Sequence, residues 1–295
     1  MSLAANAPGR RHSGRLGFLA LVLAYGLLIA VAIGSLLAAD ELSLGRNPLA
    51  NLAKTAAEFA RPSFLDVWFG EPRLEYRGDD GTLLRVEDRR VVEAGFLRQL
   101  AHATWVTFVI GTLGSLLGAL LALPLGVLTA RNLGAPRPLA LAAKALLDTC
   151  RAIHTLVFGL VLVGIVGLGP TAGILAIALH SLGTYGKLYA EAIETLDMAA
   201  VDAVRAVGAG PAQVFFNAVW PAVLPQFVSH HLYVWEFNIR DSTVLGLIGA
   251  GGLGLLITEA TALFQWGRLA TLLIVVVLLV SAFDALSRRI RGALL

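Results

Sequence analysis

Glu236, Arg240 and Asp241 are ionisable residues in a stretch otherwise suited to a membrane, YVWEFNIRDSTVLG at 233–246. A charge in lipid is costly, and by default it pairs with another group or lines a water-filled cavity. Glu236 and Arg240 are four apart and can pair along one helix. Alternatively, Arg240 lines a water-filled cavity, with Asn238 beside it. His180 is a second intramembrane candidate, although a hydrogen-bonded core histidine is its plainer reading. Just downstream, LGLIGAGGLG at 245–254 places Gly249, Gly251 and Gly252 where a helix must break. Broken backbone at membrane depth is tolerated only where protein or a water-filled cavity covers it. A gate or hinge is therefore expected there.

Signatures of bond-making chemistry are missing from the sequence. There is no GxxxxGK[ST] phosphate loop, no HExxH, no CxxC and no GxSxG. His230 and His231 are adjacent and point to different faces of any helix, a poor metal pair. The single Cys150 excludes an intrachain disulfide framework and reads as a small buried hydrophobe. The chain is expected to be no enzyme and to hold no cofactor or metal of its own.

The elements around these residues are membrane elements. Of 295 residues, 57% are hydrophobic and only 15% charged, and the mean hydropathy is +0.76. Soluble domains carry roughly a quarter charged residues, so lipid is the expected surrounding. The net charge of +3 includes no basic tract with interleaved aromatics, which argues against nucleic acid as a partner. The spacing of apolar runs predicts six spans: about 16–39, 101–130, 152–168, 171–188, a fifth beginning near Pro221, and 269–286. Arg10, Arg11 and Arg15 precede the first span, which is too long for a signal peptide and reads as a retained anchor. Arg131, Arg137, Lys144 and Arg151 mark one inner loop, and Arg288, Arg289 and Arg291 the inner end of the last span. Both termini (1–15 and 289–295) are then cytoplasmic. Gly111, Gly114, Ser115 and Gly118 allow close helix approach in the second span. Residues 40–100 form the long outer loop, with an amphipathic helix at 43–60 and a hairpin at 73–87 turning at Asp80-Gly81.

One polar stretch, 191–225, stands apart. Asp197 is a candidate N-cap for a short helix at 198–207, with Val201, Val204 and Val207 along one face. Asp202 and Arg205 are three apart, close enough to pair with each other or with a partner. Gly208 suits a left-handed helix end, Pro211 the first turn of the next helix, and Pro221 and Pro225 close the segment. A rigid, capped elbow is more than a bare connection needs, so it is read as a handle for a soluble partner.

On these residues the chain resembles the inner-membrane permeases of ABC importers. Their cytoplasmic loop reads EAA, three residues, Gly, nine residues, then I-x-L-P. Here Asp202-Ala203-Val204 takes the EAA place, Gly208 the glycine, Ala209–Asn217 the nine residues, and Ala218-Val219-Trp220-Pro221 the closing tetrad. Further likeness to the phosphonate-type permeases lies in Arg151-Ala152-Ile153, Val166–Pro170, Lys187-Leu188 with Glu191-Ala192, and Glu236-x-Asn238-x-Arg240 followed by Gly249–Gly252. It runs over about 100–290 and leaves 40–100 without a counterpart.

The resemblance implies an all-α, six-helix type I importer permease. Its core is 101–288, and its coupling loop, about 191–220, docks on an ATPase through Asp202, Ala203, Val204, Arg205, Gly208, Ala209 and Pro221. It implies a second permease copy or paralogue, two ATPase subunits that carry the ATP and Mg, and a periplasmic or lipid-anchored binding protein. The site is the bacterial inner membrane. The cargo implied is a phosphonate, with phosphite, hypophosphite, phosphate or a methionine-like nutrient as alternatives. A self-contained secondary transporter is the competing class, and it would need broken helices in both halves. The outer loop is expected to touch the binding protein.

Overall fold

The computed structural model describes residues 10–39, 47–70, 73–77 and 82–294. Two compact units are distinguished, within 1–56 and 57–295. The first contains α1 (Arg10–Ala38), whose segment Gly17–Ala38 is long and apolar enough to cross a membrane alone. This is the expected first span. It also holds most of α2 (Pro48–Phe59), the expected amphipathic helix; Pro48 suits a first helical position because its missing N–H has no partner there anyway. Residues 43–46 of that expectation lie outside the described residues.

In the second unit a 3-10 turn at Ser63–Leu65 leads to α3 (Asp66–Phe69) and an antiparallel hairpin, β1 (Arg73–Arg77) and β2 (Leu83–Asp88). Arg73 lies opposite Asp88, with an irregularity between Tyr76 and Arg77. The expected turn pair Asp80-Gly81 falls outside the described residues. Asp88 then caps α4 (Arg89–Thr129), its carboxylate accepting from Arg90 N at 2.9 Å. This helix begins at Arg89 rather than Ala101, inside the stretch expected to be loop. The cap supplies the start. Glu93, Phe96, Leu100, Ala103 and Thr107 then continue one buried stripe at helical spacing. The 41 residues span about 61 Å at 1.5 Å per residue.

The expected loop after α4 is itself helical: α5 (Arg137–Ala152) buries Ala143, Leu147 and Cys150 and leaves its other faces outside. A 93° bend separates it from α6 (Thr155–Val166), which at about 18 Å is shorter than the expected third span. Then come α7 (Pro170–Glu194), α8 (Met198–Ala206) and α9 (Pro211–Val214). A π turn at Phe215–Val219 joins α9 to α10 (Trp220–Leu245). A second π turn at Gly246–Ala250 precedes α11 (Gly252–Ala262), and α12 (Trp266–Leu294) ends the chain. Among the described residues three helices cross a membrane by length and composition, or five if each bent pair is one span. The remaining expected span, α7, has 25 residues but is less apolar, with His180, Ser181, Thr184 and Tyr185 at its middle. It can be so because much of its length is buried among other helices rather than facing lipid.

The helices meet through absent side chains. On α4, Gly114 lies against Ile177, Gly118 against the Ala178 carbonyl and Ser181, and Gly126 against Tyr189. A Cβ on Gly118 would stand 2.9 Å from both Ala178 O and Ser181 Cβ, too close for real contacts. Beside this seam Leu147 of α5 packs on Gly186 of α7. Replacing Gly118 with leucine should therefore force the helices apart and cost about 1–3 kcal/mol or prevent folding. A thermal-unfolding midpoint in detergent equal to wild type would show that the seam is not close-packed.

Candidate functional site

The elbow is held by ordinary caps. Asp197 Oδ1 accepts from Ala199 N at 3.0 Å and starts α8. Gly208 N donates to Arg205 O at 3.0 Å, and Gly208 takes φ +81 with nothing near the position a Cβ would occupy. The glycine is thus required by backbone conformation, not by space. Gly210 N donates to Gln213 Oε1 at 2.9 Å as Pro211 opens α9.

Two sequence expectations change here. The sequence places Val201, Val204 and Val207 along one face and offers Val204 and Val207 as apolar contact to a partner. Instead Val201 is buried, Val204 packs half-buried against the same core, and only Val207 is open, at 83% exposure. An isolated nine-residue helix cannot hold itself, so its valine stripe is spent on the body. Second, Pro221 and Pro225 do not close the segment. Both lie within α10, which continues α9 through the π turn. For Pro221, the wider turn leaves room for a ring that would otherwise strike the carbonyl of Asn217, four residues back.

The outward surface that remains holds Asp202, Ala203, Arg205, Val207 and Gly208, with Asp202 and Arg205 paired at 3.1 Å. Ala209 turns half inward, lining a cavity of about 380 Å³ with Arg205, Pro211 and Phe215. One support was invisible in the sequence. Asn132, just past α4, donates Nδ2 to Ile193 O at 2.7 Å and reaches Met198 Sδ at 3.4 Å. Arg131 N donates to Glu194 Oε1 at 3.0 Å. The clasp fixes the joint where α7 becomes the elbow, and its partners lie some sixty residues apart in sequence.

Glu236 and Arg240 approach to 3.8 Å on α10, as their spacing allowed, and Glu236 also meets Arg291 of α12 at 3.9 Å. The Arg240 side chain remains 54% exposed. It belongs to an open stripe with Tyr233, Phe237 and Val244, at helical spacing on one face of α10, and Leu247 in the π turn that follows is also open. Asn238 and Asp241 face inward instead. Asn238 Nδ2 donates to Ser115 Oγ at 2.7 Å and Ser181 Oγ at 2.8 Å. Ser115 Oγ lies 2.9 Å from the Tyr185 hydroxyl, which reaches His231 Nδ1 at 3.1 Å. Asp241 accepts from Thr155 Oγ1 at 2.8 Å. His180 Nδ1 lies 2.8 Å from the Ile153 carbonyl at the α5–α6 bend, where its N–H is the donor. Its ring is half-buried.

The expected break is at Gly249, Gly251 and Gly252, with φ of +100, +86 and +70. Gly169 N donates to Gly249 O at 3.0 Å, Leu168 packs over Gly249, and Thr107 Oγ1 accepts the Leu253 N–H at 2.8 Å. The interrupted backbone is thus satisfied within the bundle, as membrane depth demands.

A broken-helix bundle with a capped elbow at one end defines a multi-helix membrane subunit. Residues 122–294 match the model of the binding-protein-dependent transport system inner membrane component, and the chain belongs to that family. It is 40% identical over 196 residues to the phosphite transport system permease protein PtxC of Stutzerimonas stutzeri, covering 64% of this chain and 71% of that one. The phosphate-import permease protein PhnE of Mycolicibacterium smegmatis is 38% identical over 188 residues, 64% of this chain and 35% of its own length. Among solved structures, a chain of the MetNI methionine ABC transporter in inward-facing conformations aligns with TM-score 0.62 at 23% identity. The match covers 68% of this chain and 98% of that one, and shows the shared fold. The chain is a non-catalytic permease subunit of the inner membrane.

The exposed Asp202–Arg205 pair should contribute little to stability, about 0–1 kcal/mol, whereas Asn238→Ala leaves Ser115 and Ser181 without their donor and should cost about 1–3 kcal/mol. Denaturation of the two variants in one detergent checks this ranking, and equal losses would refute it.

Proposed function

We propose that this permease serves an ATP-driven importer of a phosphorus oxyanion. Phosphonate is the first candidate, phosphite, hypophosphite and phosphate follow, and a methionine-like nutrient is the alternative cargo. The observation that carries the reading is the elbow: a rigid outward surface, in a chain with no phosphate loop for nucleotide. The phosphite and phosphate permeases related to it support the cargo class.

In this reading two ATPase subunits bind ATP and Mg, and each receives one elbow through Asp202, Ala203, Arg205, Val207 and Gly208. Val204 and Ala209 brace that surface from beneath, and Pro221 lies farther along the same rigid helix. A second permease, identical or paralogous, covers the open stripe of α10. Arg240 then faces the water-filled path between the two subunits. The alternative, a half-exposed guanidinium in lipid, costs about 2.5–3.5 kcal/mol on insertion scales. Glu236 holds Arg240 only at 3.8 Å, so an oxyanion can draw on its charge in transit. Closure of the ATPases pushes the elbows together and opens the path outward, and hydrolysis resets it inward. Gly249, Gly251 and Gly252 form the hinge. A periplasmic or lipid-anchored binding protein delivers cargo to the far end, where the hairpin of β1 and β2 lies. The elbow end and both termini are cytoplasmic.

Gly208→Val places a β-branched residue at positive φ, a strain of about 1–3 kcal/mol. Reconstituted with its ATPase and binding protein, the variant should lose uptake and cargo-stimulated ATP hydrolysis. Normal uptake without any ATPase subunit would sink the importer reading. Arg240→Ala should reduce uptake several-fold more than it reduces assembly of the purified complex. Parallel losses would make Arg240 a structural residue.

A further inference from the structure

At the elbow end of α4 an open cavity of about 610 Å³ is lined by Arg131, Arg137 and Lys144, with Thr129, Leu128 and Leu141 between them. None of its lining residues is acidic. Arg131 has only a loose partner, Glu194 at 3.8 Å. Arg137 and Lys144 have no ion-pair partner among the described residues. Such a site attracts phosphate-type anions.

Its surroundings say which anion. The helix that carries Arg137 and Lys144, α5, spends Ala143, Leu147 and Cys150 on the bundle and leaves Leu141 exposed between the cations, while Leu139 and Leu146 are exposed on the far side of that buried stripe. Sharing Leu128 with the cavity is a second space, a groove of about 530 Å³ lined solely by apolar residues, among them Leu123, Pro124, Phe216 and Trp220. Along α4 the groove residues precede the cavity residues, so the apolar space lies one or two turns farther into the bundle. Polar head outward and apolar tail inward is the order of a phospholipid in its leaflet.

We infer that these adjoining spaces hold one acidic phospholipid. Its headgroup phosphate is held by Arg131, Arg137 and Lys144, and an acyl chain lies along Leu123, Phe216 and Trp220. A zwitterionic headgroup brings its own cation into the basic cavity, so an anionic lipid is preferred. Assignment to the cytoplasmic leaflet rests on the elbow's placement above; the existence of the site does not. A free phosphorus oxyanion shares the headgroup chemistry but has no use for the groove, which separates the two sources.

The test is native mass spectrometry of the full chain with dioleoyl phosphatidylglycerol and dioleoyl phosphatidylcholine. Each cation near an anionic surface contributes about 1 kcal/mol, and about 1.4 kcal/mol is tenfold, so Arg137→Gln with Lys144→Gln should weaken phosphatidylglycerol retention about 25-fold. Arg288→Gln with Arg289→Gln removes the same charge from α12 and should leave retention unchanged. Gly208→Val should also leave it unchanged, so failure of the coupling reading would not imitate failure of this one. Millimolar inorganic phosphate or methylphosphonate should not displace the lipid. The inference is overturned if phosphatidylglycerol shows no preference over phosphatidylcholine, or if the α5 double variant retains it fully. Displacement by free phosphate would make the cavity an anion site, and retention confined to monomers would make this face a contact between copies. Either result also overturns it.

Discussion

The second unit depends on how closely α4 and α7 approach. Their contact is the most extensive between any two helices, and Gly114, Gly118 and Gly126 allow it by removing side chains. In lipid no hydrophobic effect pulls helices together, so van der Waals packing at short range must do it. The approach brings Ser115 and Tyr185 within 2.9 Å, and Asn238 then ties α10 to both helices through Ser115 and Ser181. Small residues and buried hydrogen bonds thus form one device: the first sets the distance, and the second fixes the rotation of α10. Arg240, two residues beyond Asn238, consequently lies on the open side of that helix.

The same rigidity reaches the elbow. α8 alone is too short to persist, but Val201 roots it in the core and Asn132 clamps its joint to the end of α4. α9 continues through the π turn into α10, so one helical run connects the elbow to the glycine break. There the backbone bends with its hydrogen bonds satisfied by Gly169 and Thr107.

Much of this was legible in local sequence because its causes are local. Asp197 as a cap, Gly208 at positive φ, Pro211 at a helix start and the Glu236–Arg240 pair each follow from residues within a turn of one another. The hairpin strands were readable from alternation, and the break at 249–252 from glycine density. The valine face failed because periodicity identifies a stripe without saying whether the body or a partner receives it. The reading of Pro221 failed because a π turn, which has no simple sequence mark, precedes it and carries the helix through, and Pro225 lies inside the helix that follows.

By itself the sequence determined the membrane class, the helical content, the elbow's chemistry and the family pattern, since these follow from composition, capping and spacing along the chain. Tertiary structure alone decided which way each side chain is spent. Asn132 meets Ile193, Thr155 meets Asp241, Glu236 meets Arg291, and three separated cations converge on one cavity. These meetings depend on helix crossing and rotation, set by packing between residues far apart in the chain, and no local periodicity encodes them.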